Sequence, residues 1–154
     1  MKRIGFITAV LAFIIVALLV PFEVVGIPLA PVAAMIIGAA AGWWASTTFG
    51  STPERGASAG AIAGIGALLG SMIGLAVLAL IVGTMPEMQE MVRNSEPHPE
   101  ARIPMEWIGP MALVGGALGG FLLGLIDLVL STVAGLFAAL LYGRNRRAST
   151  PVAR

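Results

Sequence analysis

The chain contains no cysteine, and only one histidine and one tyrosine among its 154 residues. Without thiols it can form no disulfide, present no thiolate nucleophile and build no Cys-ligated metal centre, and its redox compartment is left open. Charge is equally scarce. Asp, Glu, Lys and Arg make up 11% of the sequence, whereas a soluble domain carries about a quarter. The net charge of +1 offers no field for nucleic acid. No Ser-His-Asp set, metal-ligand pair or nucleotide loop occurs, and the glycines recur every four residues instead of forming GxGxxG after a strand. These absences point away from an enzyme and imply no cofactor. What fills the chain is apolar: 58% of residues are hydrophobic and 20 are glycine. An integral membrane protein forming one compact domain over residues 1–154 is expected.

The most informative stretch is Gly56 to Gly83, which is uncharged over 28 residues and long enough to cross a bilayer core of roughly 30 Å with tilt. Wound at about 100° per residue, it gathers small groups on one face: Gly56, Ala59, Gly60, Ala63, Gly64, Gly66, Ala67, Gly70, Ser71 and Gly74. Ile62, Ile65, Leu68, Leu69, Met72, Ile73 and Leu75 fall opposite. Two small-xxx-small series run through it, Gly56-Gly60-Gly64 and Gly66-Gly70-Gly74. Glycine disfavours a helix in water. In lipid the backbone has no other partner and stays helical. A bare face admits a neighbouring backbone, so these positions read as helix-packing residues.

Three further spans are expected. The first follows Met1-Lys2-Arg3 and covers about residues 4–27. No small-x-small cleavage site follows its apolar run, so an uncleaved span is expected rather than a signal peptide. Pro21, Pro28 and Pro31 punctuate the turn after it. The second covers 29–49, with its own small pair Gly38 and Gly42, and closes on Trp43 and Trp44 at the depth where indoles sit. The polar loop Gly50–Arg55 joins it to the third span, at 56–83, as a hairpin. The fourth covers about 108–142 and carries Gly116, Gly120, Gly124, Asp127, Ser131, Ala134 and Ala138 on one face. From Trp107 to Tyr142 it is 36 residues long, so it must tilt, project or break at glycines. A faint repeat relates Gly66-Ala67-Leu68-Leu69-Gly70 to Gly116-Ala117-Leu118-Gly119-Gly120.

The outward loop, 84–106, is the one long polar segment. Thr84 and Glu87 have capping-box spacing. Met85, Met88, Met91 and Val92 share one side of a short helix and Glu87, Glu90 and Arg93 the other, as in an interfacial helix. Lys2, Arg3, Arg55, Arg144, Arg146, Arg147 and Arg154 would lie on one side of the membrane, Arg93 and Arg102 on the other. The positive-inside rule then puts both termini, including the tail 143–154, in the cytoplasm of a multi-pass cell-membrane protein.

Asp127 is the one ionisable side chain deep in an apolar span. Such a residue is a proton or cation site, a carboxyl hydrogen-bonded to Ser131, a helix backbone or another span's Thr or Ser, or, if this long helix breaks nearby, a group that reaches water. Met85, Met88, Met91 and His98 could in principle hold Cu(I), although Met residues at this spacing also form a lipid-facing or protein-facing stripe. A late-span carboxylate beside a glycine-striped helix resembles the layout of the rotary-ATPase proteolipid. There a short polar loop joins the two helices of each hairpin; here the loop is long and proline-rich. The stretches ERGASAGAIAG at Glu54–Gly64, PEMQEM at Pro86–Met91 and GGALGG at Gly115–Gly120 make the chain look like small Gly/Ala-rich four-span prokaryotic membrane proteins of unknown function. That resemblance implies a fold and transfers no functional residue.

The expected architecture is therefore all-α: an antiparallel up-down four-helix membrane bundle with glycine-zipper packing and a short interfacial helix between spans three and four. The expected role is structural or accessory, in contact with lipid and with further copies or a larger membrane complex. The alternative is a small transporter or channel-like protein using Asp127, and after that copper handling by the outward Met-rich segment.

Overall fold

A computed structural model describes residues 2–19, 26–50, 52–95 and 104–149. Five helices account for all but a few of these residues: α1 (Lys2–Leu19), α2 (Gly26–Phe49), α3 (Pro53–Gly83), α4 (Pro86–Ser95) and α5 (Met105–Ser149). Three of them contain stretches long and apolar enough to cross a membrane: Leu29–Phe49, Pro53–Gly83 and Glu106–Asn145. The apolar part of α1, Gly5–Leu19, is shorter. The first span expected at 4–27 differs in its end, because Gly26 and Ile27 already belong to α2. Pro21, Phe22 and Glu23 lie outside the described residues.

The turn between α2 and α3 is built by local chemistry. Gly50 takes φ +92°, a conformation that side-chain-bearing residues rarely adopt. The Arg55 guanidinium donates to the Phe49 carbonyl, placing a cation on the free carbonyls that end α2. Pro53 opens α3, where a missing N–H costs nothing. Pro31, by contrast, sits inside α2 and does not punctuate a turn. It falls near the helix start, and only one ladder bond is forgone there.

At the other end of α3, Thr84 does not cap α4. Its hydroxyl donates to the Ile81 carbonyl at 2.8 Å, closing α3 instead. The expected capping box with Glu87 is therefore not formed: Thr84 lies two residues before α4, which begins at Pro86. Helix α5 is continuous through all its glycines. Its 45 residues rise to about 68 Å, so it exceeds the bilayer core without breaking. The backbone ladder needs no side chain, so glycine alone does not interrupt it where water is excluded.

The interior is inverted relative to a soluble protein. Large apolar side chains point outward on every long helix, with Phe6 70% and Leu122 64% exposed. The largest fully buried side chains are Val16, Asp127, Ser46, Ser71 and Ser131. Two alanine-rich clusters make up the apolar core, one of Ala12, Val16, Ala30, Ala34 and Ala67, the other of Ala41, Ala45, Ala59 and Ala63. The buried residues of α3 are Gly56, Ala59, Gly60, Ala63, Gly64, Gly66, Ala67, Gly70, Ser71 and Gly74, the same ten that the helical projection groups together.

Helix α3 packs most extensively on α5, and both also touch α2. Along this pair the residue numbers run in opposite senses. Gly116 meets Leu75, Gly120 meets Ser71, Gly124 meets Leu68, Gly64 meets Leu128, Gly60 meets Ser131 and Gly56 meets Gly135. The two glycine series of α3 serve different partners. Gly56, Gly60 and Gly64 face α5, whereas Gly66 and Gly70 face Ala9 and Phe13 of α1. Gly38 and Gly42 of α2 face Ser131 and Gly135.

These contacts separate two kinds of glycine on α5. A Cβ on Gly124 would lie 2.7 Å from the Leu68 Cα, while one on Gly119 would meet nothing within 4 Å. Gly124→Ala should therefore cost about 1–3 kcal/mol through overpacking. Gly119→Ala should be neutral or should stabilise by up to about 1 kcal/mol. Thermal midpoints in mild detergent check this, and equal effects at the two positions would contradict the packing.

Candidate functional site

Asp127 is 1% exposed and sits between α3 and α5. It reaches α3 because of how side chains lie on helices. Each Cα–Cβ bond tilts toward its own helix N-terminus. With numbering opposed along the pair, Asp127 and Ser71 lean toward each other. The Ser71 hydroxyl donates to Asp127 Oδ2 at 2.8 Å. Oδ1 is buried with no hydrogen-bond partner among the described residues.

A second polar link lies one turn further along α5. The Ser131 hydroxyl donates across the interface to the Gly60 carbonyl at 2.8 Å. Gly60 has no side chain to hold α5 off, so the hydroxyl reaches a main-chain oxygen already engaged in the α3 ladder. Carbonyl oxygens have two lone pairs and accept this second bond readily. Ser46 and Thr8, also buried, donate within their own helices, to the Gly42 and Gly5 carbonyls.

Other expected positions are distributed as follows. Gly38, Gly42, Gly56, Gly60, Gly64, Gly66, Gly70, Gly74, Gly120 and Gly124 are buried, and Gly116 is half-buried against α3. The small face expected on the second half of α5 turns differently. Ser131, Gly135 and Ala139 are buried, whereas Ala134 and Ala138 are only half-buried. Here α5 lies against α2 as well as α3, since a Cβ on Gly135 would meet both the Gly56 and Gly38 carbonyls. Gly135 escaped the sequence reading, although the four-residue spacing of Ser131, Gly135 and Ala139 signals it.

Of the candidate copper ligands, Met85 and Met91 are exposed and Met88 turns into an apolar pocket between α3, α4 and α5. His98 lies outside the described residues. Among the described residues no cluster of His, Cys, Asp or Glu could hold a metal ion. At one end of α5, the rings of Tyr142 and Trp43 pack edge to face, with centroids 5.1 Å apart and planes at 73°. This edge-to-face pair joins α2 to α5 where both helices carry aromatic residues.

Comparison with protein-family models, with curated proteins and with solved structures finds no match. Function must therefore be argued from the chain's own chemistry. The Ser71–Asp127 bond has a direct check. In a double-mutant cycle of Ser71→Ala with Asp127→Ala, the coupling should be about 0.6–1.7 kcal/mol, as for hydrogen bonds between membrane helices. Additive effects would show that the two groups do not act together.

Proposed function

We propose that the protein is a non-enzymatic, four-span membrane bundle whose role is structural or accessory, with α1 as the shortest span. In this reading the helices alternate up and down and lock through glycine zippers. Its large apolar surface meets lipid, further copies of the chain, or a membrane complex. The observation that carries the reading is how the interior polar groups are used. Ser71, Asp127, Ser131, Ser46 and Thr8 are all buried, and each hydroxyl or carboxyl engages a helix of this chain. Purification in mild detergent tests it. A stoichiometric membrane partner or a defined homo-oligomer supports the reading, and a monomer with no partner counts against it.

A second reading rests on one atom. Asp127 Oδ1 has no partner within the described structure, so it could serve a proton or small cation moving between helices. Asp127→Asn preserves the shape of the side chain and removes its ability to ionise. If transport is the role, this variant should keep the thermal midpoint and lose proton- or cation-driven flux in vesicles. Full flux in Asp127→Asn would reject that role.

The orientation belongs to the same proposal. Seven basic residues at one end of the spans against two at the other favour cytoplasmic termini. Reporter fusions after Arg154 and within residues 95–100 should report opposite sides of the cell membrane. Reports from the same side would remove the four-span arrangement.

A further inference from the structure

An apolar cavity of about 360 Å³ lies where α3 ends and α5 begins, with α4 across it. Ala79, Val82 and Gly83 supply one wall, Met111 and Ala112 another, and Met88 of α4 flanks them. No charged or hydrogen-bonding side chain lines it. A buried water needs two to four polar partners, and this lining has none to give. A polar or ionic ligand is excluded for the same reason. A filled cavity would also restore dispersion contacts that the lining atoms otherwise lose.

The cavity opens onto an exposed apolar surface. Met111 lines it and is also 54% exposed, and Leu80, Ile81 and Trp107 lie exposed nearby in sequence on the same helix ends. Its volume stands at the small end of the range of about 300–1,000 Å³ for ligand pockets, enough for a segment of one chain. Helix α4 touches α3 lightly, with Gln89 Nε2 donating to the Gly83 carbonyl at 3.5 Å. Met88 is unbranched and adapts to a flexible occupant. From this lining, this volume and this opening, we infer that the cavity takes one acyl chain of a membrane phospholipid, lying against Met88 of α4. The inference rests on the reading of the chain as a membrane bundle.

The test uses the full chain in vesicles of phosphatidylcholine carrying a diazirine in the middle of one acyl chain. After photolysis, Met88 should be labelled more than Met91, which lies on the same helix outside the cavity. Ala112→Phe should fill the cavity and abolish the Met88 label while leaving that of lipid-facing Phe121 unchanged. Should Ala112→Phe not fold, Met88→Glu puts a charge at the mouth of the cavity, and the label at Val82 should be lost. Equal labelling of Met88 and Met91, or labelling that persists in the folded variant, would overturn the inference. So would labelling of Met88 by the corresponding free fatty acid but not by the phospholipid. Absence of label at Phe121 would instead remove the membrane reading itself, so the two failures are distinguishable.

Discussion

The structure depends on how closely the backbones of α3 and α5 approach. In lipid, two helices gain little by hiding apolar surface from each other, because the solvent is as apolar as leucine. Attraction must come from dispersion and weak main-chain contacts, both of which fall away steeply with distance. Small residues are therefore the means of binding here. The division of labour is reciprocal: α5 supplies Gly116, Gly120 and Gly124 to one half of the interface, and α3 supplies Gly56, Gly60 and Gly64 to the other. Each glycine meets the backbone or a larger residue of its partner, so neither half is left underfilled.

That proximity makes the polar links possible. A serine has a short reach. Ser131 bonds a main-chain oxygen of α3 only because Gly60 lets α5 come close enough. Ser71 and Asp127 meet near the point where the supply of glycine passes from one helix to the other. Polar bonding and close packing are thus one feature: the packing excludes competing solvent, and the bonds fix the rotation of each helix about its axis.

Much of this was legible in the sequence, because a membrane removes the usual ambiguity between buried and exposed apolar residues. On α3 the period of small residues alone separates the inner from the outer face. Asp127 was legible for a different reason, as the single ionisable group in a long apolar run. The failures are equally physical. Ala134 and Ala138 look as suitable as Gly135 in projection, but α2 also presses on this part of α5 and turns a different edge inward. Thr84 has capping-box spacing, yet the preceding helix takes its hydroxyl first. Pro31 reads as punctuation, but near a helix start proline is compatible with continuation. A serine or threonine of another span was one legible partner for Asp127, but that it is Ser71 and not Ser131 depends on the alignment of two helices far apart in sequence.

The exchange of glycine between α3 and α5 has a mechanical consequence. At the middle of the interface, Leu68 lies on Gly124 and Leu128 on Gly64. A shift of one turn in one direction would drive Leu68 against Leu128. The same shift in the other direction would bring Gly64 opposite Gly124 and open a gap. The pair has a stop in both directions, as a key does that is cut from both edges. Axial sliding of α3 against α5 is therefore blocked in both directions, so a push along one helix is passed to the other.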